Sequence, residues 1–362
     1  MRVIHLETGM HLYGGGEQVR CLIQGLSNQG VENILVCAKG SAIAQATAAN
    51  DVVEIRSRGD LDFFLYHRLR VLLHSISPDL LHVHSRRGAD WFGGYAAAKC
   101  NIPAVLTRRV DNLEAAFAAR VKYRSYRAVI AISRAIEALL VKGVGLSQSR
   151  VRRIESAVDT ERFRPDGSRE RLLAVTGLPD DVDLIGVVAQ LIPRKGHDVL
   201  LGILPALVDH YPRLRVLFFG QGSEAGKLQH RIRKLNLNEY VKMLGFRDDL
   251  PCLLSGLDLL VHPARREGMG VAVLQGMSAG VPVVASNVGG IADVIQDGAQ
   301  GILIEPDDPP ALIEALKCLL DDPELRNRLG NAGRSHVEEK FSISRMTESH
   351  LTIYGSVSEG RL

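Results

Sequence analysis

The stretch Glu267-Gly-Met-Gly-Val-Ala-Val-Leu-Gln275-Gly-Met-Ser-Ala-Gly-Val-Pro-Val-Val-Ala285 holds the residues best placed to do chemistry. Glycines open a predicted helix, Gly280 closes it, and a β-branched run follows that reads as a buried strand. A helix start turns free N–H groups and the positive end of its dipole toward whatever lies above it, which suits an anion. Glu267 stands at the mouth and Gln275 follows eight residues on, a spacing that places both along the N-terminal part of one helix. Pro193-Arg194-Lys195-Gly196 sets two cations just past another predicted strand, where they would neutralise a diphosphate. Gly220-Gln-Gly222 and Gly245-Phe246-Arg247 end the next two strands and allow close backbone approach to a ligand. Gly14-Gly15-Gly16-Glu17 offers the same after the first strand, although a tight strand-to-helix turn needs no ligand to explain it.

Other titratable groups are weaker candidates. His82 and His84 share a strand, and His84 lies nearer its end, which makes it the better functional candidate. No zinc-ligand spacing surrounds them. Asp60-Leu-Asp62 and Asp181-Val-Asp183 repeat a pattern that can hold a divalent metal, but both lie in connections and read as turn or capping aspartates. Arg120, Lys122, Arg124 and Arg127 cluster near Phe117, Val121 and Tyr126, a pattern shared by interfacial membrane helices and by ordinary solvated faces.

These groups must be positioned by a repeating scaffold. Strands are predicted at 2–6, 33–37, 80–84, 104–107 and 128–132, alternating with helices at 17–29, 63–76, 91–100 and from 115. The pattern breaks at 154–165 and restarts with strands at 184–189, 215–219, 241–244, 257–261 and 301–304. Strand and helix in alternation imply a parallel, doubly wound α/β sheet, here twice over. The expected domains are 1–165, with a C-terminal helix at about 342–362 packing back on it, and 166–341. At 362 residues, 46% hydrophobic and 23% charged, the chain has the composition of a soluble globular protein. Its net charge of +3 is uneven: residues 1–165 hold 23 Lys and Arg against 15 Asp and Glu, and the remainder is mildly acidic. An anionic partner for the first half is one reading, chance imbalance the other. Five scattered cysteines read as buried free thiols, and no apolar run approaches a membrane span. A cytoplasmic location is therefore expected, with at most peripheral membrane contact.

Taken together and in order, the Gly-Gly-Gly-Glu17 turn, Val158-Asp-Thr-Glu-Arg-Phe-Arg-Pro165, Pro-Arg-Lys195-Gly, Gly245-Phe246, Glu267-Gly-Met-Gly270 and Ala279-Gly-Val-Pro-Val-Val-Ala-Ser286 resemble the GT4 family of retaining glycosyltransferases. The resemblance runs over nearly the whole chain and implies the GT-B architecture of two facing Rossmann-like domains with a cleft between them. It implies that Lys195 meets the donor diphosphate and that Gly15 or Gly16 closes on it. It places Glu267 by the transferred sugar, with the backbone of Gly268, Met269, Gly270 and Val271 toward phosphate. The backbone of Phe246 and Arg247 would face the base, and Gly222 the same crevice.

Three positions depart from the family pattern. Gln275 stands where a second glutamate clasps the nucleotide ribose. Gln190 replaces an arginine, which leaves Arg194 to share its duty. Arg109 occupies the place of a histidine, and a guanidinium does not act as a base. The expected activity is metal-independent transfer of a sugar from a nucleoside diphosphate sugar, UDP-linked, to an anionic glycan or lipid-linked acceptor such as lipopolysaccharide core. Glu267, Lys195, Arg109 and His84 are the expected catalytic set. No cofactor, metal or nucleic acid partner is expected. The rival readings are a nucleotide-sugar epimerase of the same fold and a catalytically silent scaffold.

Overall fold

The apolar runs of the first half assemble into one seven-stranded parallel sheet. Its strands are β1 Arg2–Glu7, β2 Glu32–Ala38, β3 Asp51–Ile55, β4 Leu80–Val83, β5 Ala104–Arg108, β6 Ala128–Ala131 and β7 Val151–Arg153, in the order β3-β2-β1-β4-β5-β6-β7. Parallel strands are covered on both faces, so they read as apolar runs and not as alternations. Val3, Leu6, Leu35, Leu81, Val105 and Ile130 are accordingly sealed from solvent. The covering helices that matter for the site are α1 Gly14–Asn28, α2 Phe64–Ile76, α3 Ala89–Lys99 and α4 Ala116–Tyr123. This computed structural model describes every residue except Asp60, Leu61, Arg87, Ser168 and Leu362. The first aspartate of Asp60-Leu-Asp62 thus lies outside the described residues, while Asp62 is buried and accepts from Arg68 at 2.6 Å.

A second sheet orders its six parallel strands β10-β9-β8-β11-β12-β13. They are β8 Asp183–Val188, β9 Leu214–Phe219, β10 Val241–Gly245, β11 Leu259–His262, β12 Val283–Ser286 and β13 Ile302–Ile304, with helices α5 His197–His210, α6 Ala225–Lys234, α7 Val271–Ser278, α8 Pro309–Asp321 and α9 Pro323–Lys340. In each sheet the strand order reverses once, between β1 and β4 and between β8 and β11. Ligands of doubly wound sheets bind at the carboxyl ends of the strands beside such a reversal.

The chain divides into unit 1, Met1–Ala157 with Ile343–Leu362, and unit 2, Val158–Ser342. The junction falls ahead of the Pro165 expected from sequence because 158–165 is held by unit 2. Val158 donates its N–H to the Phe341 carbonyl at 2.9 Å, and Ser278 Oγ donates to the Phe163 carbonyl at 2.6 Å. The last helix, α10 Ile343–Ser358, packs on α1 within unit 1. Gly25 makes that approach possible, since a Cβ there would lie 2.0 Å from Thr347 Oγ1.

Strands β3 and β7 escape the sequence pattern. β3 is an edge strand with exposed Asp51 and Glu54, and β7 is Val-Arg-Arg; each takes its hydrogen bonds from a neighbour already in place. Gly14–Gly16 form the first turn of α1, none with a positive φ, where the sequence suggested a turn ahead of a helix at 17. The cysteines are all free; Cys21 and Cys37 are buried as expected, but Cys318 is exposed.

Candidate functional site

In unit 2 the residues after β8 and β11 meet across the reversal of the sheet. Pro193–Lys195 forms one 3-10 turn and Gly196 follows with φ +69°, where a Cβ would lie 1.7 Å from the Pro263 carbonyl oxygen. That packing of backbone on backbone brings Lys195, buried, onto Glu267. Lys195 Nζ donates to Glu267 Oε2, His262 Nε2 donates to the same oxygen at 2.8 Å, and the Gly268 N–H donates to Oε1 at 3.0 Å. Burial alone would raise the Glu267 carboxyl, but the His262 hydrogen bond and the Lys195 charge hold it well below the usual carboxylate range. Burial lowers His262 in turn, so it serves as a neutral donor. The side chains of Lys195 and Glu267 stay 10% and 12% exposed, so the pair is nearly enclosed but still reachable, and Lys195 has N–H donors left over for a ligand.

Sequence reasoning missed two members of this arrangement. His262 is the last residue of β11, where the predicted strand stopped one residue early. Arg265 clamps the two loops: its guanidinium reaches Asp198 at 2.8 Å, Asp307 at 2.7 Å and the Pro193 carbonyl at 2.8 Å, and its N–H reaches the Arg194 carbonyl at 2.8 Å. A charge just past a strand end, in a loop that runs into Gly268 and Gly270, was the available signal.

Other expected residues fall less neatly. Arg194 is exposed and donates to the Arg266 carbonyl at 3.2 Å. Glu267 and Gln275 do not share a helix. α7 begins at Val271 after Gly270, whose φ of +83° puts it in the left-handed region, and Gln275 lies in its second turn with no side-chain hydrogen bond among the described residues. No side chain caps α7, so its first N–H groups remain open, as an anion cradle requires. Met269 is buried. A Cβ on Gly222 would lie 2.3 Å from the Leu191 carbonyl oxygen, so this glycine packs two loops together. Phe246 is half-exposed at the end of β10, and Arg247 is paired with Asp249 at 2.6 Å.

Unit 1 has a cavity of about 260 Å³ at its own reversal, lined by Glu7, Gly15, Gly16, His84, Arg86 and Arg109 among others. Behind it lies a buried row of histidines. His5 Nε2 and Asn33 Oδ1 are 3.0 Å apart, His5 Nδ1 and His84 Nε2 3.0 Å, and His84 Nδ1 and Arg109 Nη2 3.4 Å. His82 joins Tyr354 of α10 at 2.5 Å and Thr107 at 2.7 Å. Burial pushes His5 down to about 4 and His82 and His84 well below the usual range. Both ring nitrogens of His84 have partners within the protein, Nε2 with His5 and Nδ1 with Arg109.

His5, His82 and His84 form the one group among the described residues with metal-ligand spacing. Their hydrogen bonds argue against a metal. If His84 Nε2 bound a cation, its Nδ1–H would face Arg109, which is a donor too. The basic cluster also changes: Lys122 is buried between Asp90 at 2.8 Å and Glu114 at 2.5 Å, and Tyr126 is buried.

Two family profiles match successive parts of the chain. The one described as Glycosyltransferase Family 4 matches residues 13–162, and the one described as Glycosyl transferases group 1 matches residues 168–336. The chain belongs to the GT4 glycosyltransferase family. Within that family it is 32% identical, over 54% of this chain and 53% of the relative, to a GDP-mannose-dependent monoacylated alpha-(1-6)-phosphatidylinositol monomannoside mannosyltransferase of Corynebacterium glutamicum. It is 27% identical, over 55% of this chain and 59% of the relative, to the lipopolysaccharide core biosynthesis mannosyltransferase LpsB of Rhizobium meliloti. The matches thus span a little over half the length of these curated relatives. The GT-B fold of the GT4 family extends over the whole chain: Anabaena Alr3699/HepE, solved with UDP and glucose, superposes with a TM-score of 0.87 at 19% identity, covering 98% of this chain and 100% of that one.

Proposed function

We propose that this glycosyltransferase moves a sugar from a UDP-linked donor to a hydroxyl of an anionic lipid-linked or cell-surface glycan, of the lipopolysaccharide-core type, with retention at the anomeric carbon. The observation that carries the reading is the buried Lys195–Glu267–His262 cluster beside the uncapped start of α7, both at the reversal of the unit 2 sheet. As the sugar–phosphate bond breaks, charge grows on the leaving diphosphate. Lys195 and the α7 N–H groups are fixed donors for that charge, the task a metal performs elsewhere. The acceptor hydroxyl attacks on the face the diphosphate leaves, and its proton passes to the departing phosphate oxygen. Relatives that act on phosphatidylinositol mannosides and lipopolysaccharide core favour the acceptor class.

The test is incubation with UDP- and GDP-linked sugars, with and without EDTA, followed by NMR assignment of the product anomer. An inverted product, activity lost to EDTA, or turnover without acceptor would each overturn the reading. Gln275 makes a narrower prediction. A glutamate there would add charge assistance to ribose hydroxyl bonds, so Gln275→Glu tightens UDP binding about fivefold by calorimetry; an unchanged Kd would place residue 275 away from the ribose.

Peripheral membrane contact belongs to the same proposal. Among the described residues no helix is long and apolar enough to cross a membrane. Phe63, Phe64, Leu113 and Phe117 are nonetheless 71%, 76%, 80% and 81% exposed. They border the loops after β3 and β5, whose neighbour after β4 is tied in by Arg86 donating to Asn112 at 3.1 Å. Phe117, Arg120 and Arg124 are exposed at helical spacing along α4, with exposed Leu113 in the loop just ahead of it. Aromatic side chains beside arginines suit an anionic bilayer surface. Phe63→Ser with Phe117→Ser is expected to lower sedimentation with phosphatidylglycerol vesicles at least about tenfold; equal binding by this variant would refute the contact.

A further inference from the structure

A second cavity of unit 1, of about 610 Å³, opens at the other end of its sheet. Its lining takes in Ala104, the first residue of β5, and Arg127 and Arg150, which directly precede β6 and β7. The cavity lined by His84 and Arg109 lies at the carboxyl ends of these strands, roughly 15 Å away along the length of β5. A small molecule seated in one does not fill the other.

Three arginines line this second cavity, Arg124, Arg127 and Arg150, and among the described residues no carboxylate does. Glu359, close by in the chain, is paired with Arg361. Arg150 is half-buried, and its Nη2 donates to the carbonyls of Tyr123 at 2.6 Å and Tyr126 at 2.5 Å, where α4 ends. Burial pulls its guanidinium below the usual value, and the charge of Arg127 pulls it further the same way. The side chains of Arg124 and Arg127 make no hydrogen bond or ion pair among the described residues. Helix ends offset part of this charge: α3, α4 and α10 all finish at the cavity, each with about half a negative charge. Against three guanidinium groups that leaves an excess of roughly one and a half positive charges. Capping of α4 explains Arg150, but it does not explain a second, exposed cation beside it. Like charges so placed repel, and an anion between them turns the repulsion into attraction.

The rest of the lining suits a phosphate that carries an organic group. A guanidinium fork matches phosphate oxygens two at a time. Asn101, Ser125 and Ser358 add an amide and two hydroxyls whose side chains have no partner among the described residues. Ile102, Pro103 and Val357 supply an apolar wall. The volume exceeds what a bare phosphate ion needs and falls within the range of small-molecule sites, about 300 to 1,000 Å³.

We infer that this cavity is a binding site for a small phosphate ester, its phosphate held by Arg127, Arg150 and Arg124 and its hydroxyls by Asn101, Ser125 and Ser358. The site stands apart from the groups assigned to sugar transfer and does not depend on that reading. Val357 and Ser358 belong to the end of α10, whose Tyr354 reaches His82 at 2.5 Å, so a bound ester also ties this helix to the rest of unit 1. The ester arrives free in solution or as the headgroup of a membrane lipid, and the experiment separates these two sources.

The test is calorimetric titration of the full chain with glycerol 3-phosphate at constant ionic strength. Wild type is expected to bind it, and Arg127→Gln to bind it at least about tenfold more weakly. Lys142→Gln removes a charge from an exposed position of unit 1 outside the cavity and should leave the affinity within about twofold. No binding by wild type, or the same affinity in the two variants, overturns the site. Phenylglyoxal labelling of wild type, read by peptide mass spectrometry, needs no variant. Glycerol 3-phosphate at ten times its Kd should slow the modification of Arg127 about tenfold, and an unchanged rate overturns the site. Sedimentation with vesicles of phosphatidylglycerol and phosphatidylcholine then names the source. Arg127 lies past the end of α4, so its replacement leaves Phe117 and Arg120 in place. Vesicle binding that falls about tenfold in Arg127→Gln but not in Lys142→Gln assigns the site to a lipid headgroup, and vesicle binding that is equal in both assigns it to a free ester.

Discussion

Lys195→Ala lowers the rate of sugar transfer at saturating donor by about a hundred- to a thousandfold, the usual loss when one fixed donor to a developing oxyanion is removed. The argument starts from burial: an exposed lysine would trade its contact for water at little cost, whereas Lys195 is shut in with Glu267. Because the effect lies on the charge that grows during bond breakage, kcat falls further than UDP affinity does. Glu267→Gln separates position from charge. It keeps an oxygen for His262 but removes the anion that holds the ammonium in place. Steady-state kinetics with a UDP-sugar and calorimetry with UDP measure the two quantities. A Lys195→Ala enzyme with wild-type kcat would remove the cluster from the mechanism.

Unit 1 is expected to unfold on mild acidification. His5, His82, His84 and His350 are all buried within it, and burial lowers each below its unfolded value of 6.5, to about 4 for His5 and about 3 for His350. A group with a depressed folded pKa binds fewer protons folded than unfolded once the pH drops below its unfolded value. Stability is therefore complete above pH 6.5 and lost as the pH falls toward the folded values, by about 1.4 kcal/mol per histidine per pH unit. Four such groups remove on the order of 5 kcal/mol between about pH 7.5 and 5.5. Glu7 opposes this, since burial raises its carboxyl and protonation on the way down restores some stability. The remainder is still a large part of a typical domain's stability. Trp91 is the single tryptophan and lies in unit 1, so its fluorescence in urea at the two pH values reports on that unit alone. A transition midpoint that did not move would contradict the neutral histidine row.

The sequence carried the alternation of strand and helix clearly because parallel strands buried on both faces leave uninterrupted apolar runs, such as Leu184–Val188 and Leu259–Val261. Lys195 and Glu267 were legible as well, since strand-end loops beside glycines have few reasons to carry buried charge. What stayed hidden depends on long-range contact. β3 and β7 exist because a neighbour offers hydrogen bonds. His262 gains its meaning only when Lys195, remote in sequence, arrives beside Glu267. His5 and Asn33 did leave a signal: polar residues inside otherwise apolar parallel strands need partners. The helical spacing drawn between Glu267 and Gln275 failed because Gly270 delays the start of α7.

The return of α10 to unit 1 has a consequence for how the chain is made. Tyr354 closes onto His82, and Met346, Ile353 and Val357 enter the same apolar core as Val3, Leu22 and Val105. Synthesis runs from the N-terminus, so residues 1–157 leave the ribosome long before the helix that completes their core. Unit 2, continuous from 158 to 342, has all of its parts first. A segment made after unit 2 therefore finishes a domain begun before it, and until that segment arrives the row of histidines lacks its lid.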